Sequence, residues 1–415
     1  MNQNDRLELF QTLSNKETCI YYLESNGYDD PYGKFNWILL AGSTNHITAN
    51  ADSAKPWEDL KDFLNAPSSA PIIPGFLSYD LKNYLENLKS KNPDLTAFPL
   101  LSFLKPECII GELRNGQSFN YGYSVELEEN SIDWEKPIPP IEMQVSMSEE
   151  SYTQRFDQLK NHILRGDIYE INFCMHFGAF MPDLEPVQLF KKLCLLSPAP
   201  FSCLMKNGDN WLIGSSPERF LKKEDTKLIS QPIKGTVRRS ANEDIDQQAI
   251  AKLKSDPKER AENVMIVDLV RNDLSHFAKR GSVQVAELCE VYPFATVHHM
   301  ISTVQAELTS ADLGLEAIKK AFPMGSMTGA PKIRAMELAD ETENFSRGIY
   351  SGALGYFTSD GDFDFAVMIR SFTWNAASGY LSFSTGSAIT NQAIASAEYH
   401  ECLLKAEALL KSLQQ

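Results

Sequence analysis

Among the side chains here that could do chemistry, one lysine is out of place. The stretch "ISQPIKGTVRR" at 229–239 sets Lys234 between an apolar pair and a glycine. Lysine shifts its pKa readily on burial, so an ammonium held in such a turn can serve as a nucleophile; a solvated loop lysine is the other reading. "SSPERF" places Glu218 on a short turn before the strand-like "FLKK", where a partly buried carboxyl can act as a proton donor. Two acidic pairs open two helical patterns. In "SDPKERAENVMIVDLVRNDL", Asp256 fits an N-cap, Pro257 the first helical position, and Glu259 the third. Glu259 and Glu262 then share one face, as do Glu398 and Glu401 in "SAEYHECLLKAEALL", with Lys405 one turn on. Each pair alone reads as a solvated helix face, and Glu259 also as a capping-box acid. Were all four to converge, their repulsion would need protons or a cation. A set of four carboxylates favours Mg²⁺, which keeps several waters and bridges to anionic substrates.

Three further polar intrusions stand out. Arg370 falls inside the strand-like "FDFAVMIRSFTW", on the face of Ala366, Met368 and Phe372. A guanidinium there needs an anion, either an internal carboxylate or one on a substrate. "FPMGSMTGAPKIRAME" offers glycines, the Ser326 hydroxyl and a helix beginning at Pro331, an arrangement that can bind an anion through backbone N–H groups. Its spacing is not that of a phosphate loop, and no Gly-Lys-Ser/Thr follows, which excludes nucleotide binding. His298 and His299 read as a proton donor or as core residues.

These groups must be positioned by a chain of 415 residues, 43% hydrophobic and 23% charged, long enough for one very large domain or two ordinary ones. A net charge of -16 argues against nucleic acid or an anionic membrane as partner. No apolar run approaches the roughly 18 residues of a membrane span, and "MNQNDRLELF" lacks the pattern of a signal peptide; a cytoplasmic location is expected. Seven scattered cysteines without CxxC spacing read as reduced packing residues. The clearest seam is "DWEKPIPPIEMQVSMSEESY", where Pro137, Pro139 and Pro140 interrupt regular structure. It separates an N-terminal region, 1–140, from a region 141–415 that holds the groups above. "FNWILLAG" and "ECIIGELRNGQSFNYGYSVEL" read as strands, the latter around an Asn-Gly turn. "SEESYTQRFDQLKNHILRG" reads as a capped amphipathic helix ending near Gly166, and 352–386 as a meander of strands. Helices flanking antiparallel strands give an α+β fold.

"SSPERF", "PIKGT", "KERAENVMIVDLVRNDL", "FPMGSMTGAPKIRAMEL", "YSGALGYF" and "AEYHE", in this order, resemble the chorismate-utilising enzymes. That family includes anthranilate synthase component I, aminodeoxychorismate (para-aminobenzoate) synthase component I, and the isochorismate and salicylate synthases. The resemblance is strong over roughly 150–412 and weaker through "LESNGYDDPYGKF" and "PGFLSYDLKNYLE". It implies a large antiparallel β-sandwich core with helices packed outside. Pro-Ile-Lys-Gly-Thr resembles the aminodeoxychorismate branch, whereas anthranilate synthases carry alanine at the position of Lys234. Isochorismate and salicylate synthases carry a water-activating lysine at the position of Glu170, where the amination branches usually have glutamine.

The resemblance implies Lys234 as a nucleophile on chorismate C2 and Glu218 as the acid for the departing 4-hydroxyl. Ammonia would then add at C4 and expel the lysine, giving 4-amino-4-deoxychorismate for para-aminobenzoate and folate synthesis. Glu259, Glu262, Glu398 and Glu401 would hold Mg²⁺ at the ring carboxylate. Arg370 and Tyr350 would take the side-chain carboxylate, Gly235, Gly386 and Lys405 the ring carboxylate, with Thr236, His299 and Ser326 also lining the site. Ammonia is expected from a separate glutamine amidotransferase subunit, since no glutaminase motif is present, and conversion to para-aminobenzoate from another enzyme. Ser25, Tyr32, Phe35, Pro200 and Phe201 resemble the family's tryptophan pocket, as a regulatory or a propping site. "STGSAI" departs from the family's glycine-richer pattern at Ser387 and Ala388. Two competing functions are anthranilate synthase component I, against which Lys234 argues, and a non-catalytic tryptophan sensor, which would not need Glu218, Lys234 or the acidic pairs.

Overall fold

The computed structural model describes residues 1–86, 88–126 and 132–414. Two large antiparallel sheets face each other. The first runs from the edge pair Gly329–Ala330 and Glu170–Phe180 through Tyr380–Ile389, Ser371–Asn375, Asn210–Ser216, Phe201–Asn207, Cys19–Glu24, Phe35–Gly42 and Cys108–Leu113 to Ser118–Gly122. The second runs from Ile233–Arg238 through Val297–Glu307, Lys227–Gln231, Arg219–Glu224, Phe363–Val367, Ala353–Thr358, Ile72–Leu77 and Leu101–Leu104 to His46–Ala49. Strands from before and after the proline-rich seam hydrogen-bond side by side in both sheets. The hairpin around Asn115-Gly116 forms as expected, with Cys108–Leu113 against Ser118–Gly122; Leu127, the last residue of that reading, lies outside the described residues.

The sandwich is held by apolar residues alternating inward from both sheets. Tyr21, Ile38, Leu40, Met205 and Leu212 of the first meet Phe76, Leu354, Tyr356 and Met368 on the second side, each contributing roughly 1.5–3 kcal/mol by burial. Helices cover the outer faces. Gln3–Ser14, Glu149–Arg165, Pro186–Leu196 and Ala395–Ser412 pack on the first sheet, and Pro56–Asn65, Pro257–Ser275 and Gly314–Ala321 on the second. All seven cysteines are free and buried, as packing residues should be.

Two readings change. The stretch 352–386 is two hairpins rather than one meander: Ala353–Thr358 pairs with Phe363–Val367 in the second sheet, and Ser371–Asn375 with Tyr380–Ile389 in the first. The chain crosses between sheets at Arg370, whose φ of 52° no strand accommodates. Helix Pro257–Ser275 is also not apolar all round. It buries one face, with Ile266, Val267, Val270 and Leu274, and leaves Val264 exposed.

Candidate active site

Where the edge strands of the two sheets approach, Ile233–Arg238 carries Lys234, Gly235 and Thr236 past a break in its pairing with Val297–Glu307. Gly235 takes φ 89° there, and a Cβ on it would come within 3.0 Å of Glu259 Oε2. The left-handed backbone is what favours glycine here. The irregularity turns Lys234 inward, and its Nζ lies 2.8 Å from Oε1 of the fully buried Glu170, at the start of the edge strand of the other sheet. Burial pulls this ammonium's pKa down, but the charges of Glu170, Glu262 and Glu401 outweigh it and hold the group above its ordinary value. Lys234 is therefore no solvated loop lysine; its side chain is 12% exposed, and it rests as an ammonium among carboxylates.

Glu218 is buried beside it, and desolvation pushes its carboxyl up to about 7 against the opposing pulls of Ser326 and Lys234. A carboxyl poised there is half protonated at neutral pH, the condition for a general acid. The buried Ser326 lies against Glu218, although its Oγ makes no hydrogen bond of good geometry. Glu218 is fixed from both sides: its carbonyl accepts from Val367 N at 3.0 Å, and the next residue, Arg219, is clamped by Asp30 at 2.5 Å and Asp364 at 2.9 Å.

The two acidic helix starts do approach each other. Asp256 caps the first, accepting from Lys258 N and Glu259 N at 2.9 and 3.1 Å. The Asp256 N–H is used by Leu253 O, so Glu259 is not engaged in a reciprocal capping box. Lys258 bridges the helices, 3.7 Å from Glu262 and 3.3 Å from Glu398. Desolvation raises the pKa of Glu262 to about 7 and also raises Glu259 and Glu398, the last further through Glu401. In Glu401 the ammonium of Lys405, at 2.7 Å, overcomes desolvation and lowers it. Glu262 Oε1 is buried without a hydrogen bond and faces the Lys258 ammonium at 3.7 Å. Among the described residues, no three carboxylate, imidazole or thiolate side chains are close enough to hold an ion as they stand; a cation here would take the place of the Lys258 ammonium.

The remaining predicted residues surround this centre. Arg370, in the crossover between sheets, has no hydrogen bond or ion pair to its guanidinium among the described residues, and burial lowers its pKa, with Tyr350 and Glu401 as the nearby groups supporting its charge. It is a cation without a fixed anion, not half of an internal ion pair. Tyr350 is buried beside it, its phenol held neutral by desolvation. His299 Nδ1 is 2.8 Å from Thr236 Oγ1. Burial first, then the charge of Arg370, lowers this imidazole to about 3, so it serves as a neutral hydrogen-bonding group. His298 faces elsewhere, with Nε2 3.0 Å from Asp246. Lys405 Nζ donates to Gly386 O at 2.8 Å, tying helix to strand. A Cβ at Gly386 would sit 2.8 Å from Cys174 Sγ. Ser387, one of the departures, turns to the opposite face and bonds Tyr152 at 2.9 Å, leaving the backbone at Gly386 undisturbed.

A separate cavity of about 550 Å³, open mouth included, is lined by Ser25, Phe35, Pro200 and Phe201, together with Asp30 and Tyr356. Tyr32 lies outside it, in an adjoining cavity that shares Asp30, Pro200 and Phe201. Three residues of consequence carried no clear signal in the sequence: Glu170 as the partner of Lys234, Lys258 as the bridge between acidic helices, and Arg219 as the anchor behind Glu218. For Glu170 the available signs were its departure from the glutamine usual in the amination branches and its charge at the head of "EINFCMHFGAF".

Residues 18–411 match the model of the chorismate binding enzyme family. Anthranilate synthase component 1 of Thermus thermophilus is 32% identical over 359 residues, 82% of this chain and 77% of that protein. Aminodeoxychorismate synthase component 1 of Escherichia coli is 38% identical over 272 residues, 66% of this chain and 59% of that protein. The Bacillus subtilis protein of the latter name is 31% identical over 361 residues, 82% of this chain and 76% of that protein. In three dimensions the chain is similar to anthranilate synthase component I from Streptococcus pneumoniae, with a TM-score of 0.78 at 24% identity, covering 92% of this chain and 93% of the other. It is also similar to the menaquinone-specific isochorismate synthase of Escherichia coli, with a TM-score of 0.74 at 18% identity, covering 98% and 91%. By sequence and by fold, this chain belongs to the chorismate-binding enzyme family.

Proposed function

We propose that this chain aminates chorismate at C4, as component I of an aminodeoxychorismate synthase, through a covalent bond to Lys234. The observation that carries the reading is the Lys234 ammonium, 2.8 Å from Glu170 and close to a carboxyl, Glu218, that titrates at about 7. Nucleophile and acid are thus neighbours: Glu218 carries the proton that a leaving hydroxyl needs, and the Lys234 ammonium must give one up before it can bond to carbon. The ring's two double bonds shift as the Lys234 amine bonds to C2, and the C4 hydroxyl leaves as water with the proton of Glu218. Ammonia then bonds to C4, the C2–N bond breaks, and the new ammonium returns its extra proton to Glu218. Splitting one difficult displacement into two is the gain of covalent catalysis.

The unpartnered Arg370 and the phenol of Tyr350 suit the side-chain carboxylate of chorismate. Glu259, Glu262, Glu398 and Glu401 would hold Mg²⁺, a reading supported by the single cation, Lys258, that Glu262 and Glu398 of the two helix starts already share. When bound, the ion supplies positive charge for the ring carboxylate. Ammonia would come from a separate glutamine amidotransferase subunit, and the product would enter para-aminobenzoate and folate synthesis. The Ser25–Phe35 cavity would take tryptophan. The relatives named anthranilate synthase keep that activity as the second reading, and Lys234 separates the two.

The test is Lys234→Ala. It should lose aminodeoxychorismate formation by roughly 10²–10⁴-fold or more, the range for removing a positioned reacting group, while still binding chorismate through Arg370. A variant with unchanged rate and product would refute the nucleophile.

A further inference from the structure

We infer that Glu170 is the base for Lys234: its carboxylate takes the ammonium proton, holds it while the amine is bonded to substrate, and returns it when the amine departs. The inference rests on the reading of Lys234 as nucleophile. An ammonium has no lone pair, so Lys234 must lose a proton before it can bond to carbon. Glu170 Oε1, at 2.8 Å, is the acceptor within hydrogen-bond reach of Nζ among the described residues. Glu262, Glu401, Glu218 and Glu259 also face the amine through their charges, but none makes a hydrogen bond to it. The proton of Glu218 is committed to the leaving hydroxyl.

The position of Glu170 is fixed by its strand. Ala330 pairs with it across the sheet edge, and Tyr169 N donates to Ala330 O at 2.7 Å. Its side chain is 1% exposed, and its second oxygen, Oε2, is buried with no hydrogen-bond partner. Transfer turns a buried ion pair into a neutral acid and a neutral amine; it regains the desolvation cost of both charges and gives up their mutual attraction. The balance closes: Lys234 ammonium and Glu170 carboxylate become amine and acid, and the amine bonds to C2. After ammonia displaces it, the free amine recovers its proton from Glu170.

Glu170→Gln and Glu170→Asp test this with two readouts. The first is acetylation of Lys234 by acetic anhydride across pH 6 to 9, followed by peptide mass spectrometry. Glu170→Gln should label at least about tenfold faster near pH 8, because the carboxylate no longer holds the proton. The second is the pH profile of kcat/KM for chorismate with ammonium. Glu170→Gln should fall roughly 10²–10⁴-fold near neutrality and climb with pH up to about 7 as solvent deprotonates the lysine, a limb absent from the wild type, before loss of the Glu218 proton offsets the rise. Glu170→Asp should retain part of the rate and the wild-type profile. Unchanged labelling together with a parallel pH profile overturns the inference. Faster labelling with unchanged turnover overturns it too, and points instead to failure of the Lys234 reading, which Lys234→Ala tests separately.

Discussion

Replacing Glu218 by glutamine should disable the enzyme and, at alkaline pH, make it more stable. Burial raises this carboxyl from 4.5 to about 7. A group whose folded pKa lies above its unfolded value favours the fold at low pH, and that advantage is lost as pH rises through the folded value. Above about pH 7 the wild type must keep a buried carboxylate charged. At ~1.4 kcal/mol per unit, the cost relative to the protonated form is roughly 3 kcal/mol. Glutamine has the same shape and no charge to desolvate, so the difference in stability between variant and wild type should grow by that amount between pH 4.5 and pH 8.5. With an unfolding entropy of about 2.1 cal/mol/K per residue over 415 residues, this corresponds to a relative gain in Tm of roughly 3–4 °C. Thermal melts of both proteins at the two pH values measure it, and taking the difference cancels every other titrating group. Turnover of chorismate with ammonium should fall roughly 10²–10⁴-fold through loss of the acid. In the wild type, kcat/KM should decline above about pH 7 as Glu218 loses its proton. A Tm difference that does not change with pH, or turnover preserved in the variant, would refute the reasoning.

Two further outcomes follow from the same geometry. Glu401→Gln should abolish turnover and weaken Mn²⁺ binding, read from the free-ion electron paramagnetic resonance signal, while the circular dichroism spectrum is retained; undiminished Mn²⁺ binding would remove Glu401 from the ligand set. Arg370→Leu should raise the KM or Kd for chorismate by roughly 10- to 150-fold, the 1.5–3 kcal/mol of a charge-assisted hydrogen bond. Because no internal anion is left unpaired, its melting temperature should not fall; a lower one would show Arg370 to be structural.

Much of this was legible from residue types and spacing, because local physics dictates it. The Asp256 cap with Pro257 behind it, the Asn115-Gly116 hairpin and the Ser148-to-Gly166 helix depend on a few neighbouring residues. The glutamate pairs were visible because helical periodicity places them on one face. What escaped depended on contacts distant in sequence. Arg370 read as a strand residue since its neighbours alternate; only the crossing between sheets, which no local pattern encodes, bends the chain there. Glu170 and Lys234 are 64 positions apart, and nothing in either segment names the other. Tyr32 is close in sequence to Phe35 but lies in the next cavity, beyond the Asp30–Arg219–Asp364 ion pairs that Arg219 makes across 189 and 145 positions.

The central claim, amination at C4 through Lys234, is tested most directly by identifying the product. Chorismate, an ammonium salt and Mg²⁺ are incubated with the purified chain, and the product is analysed by mass alongside a pyruvate assay. The expected product is 4-amino-4-deoxychorismate, with the enolpyruvyl group retained and no pyruvate released. Anthranilate with one pyruvate per chorismate consumed, or an isomer of chorismate lacking nitrogen, would contradict it.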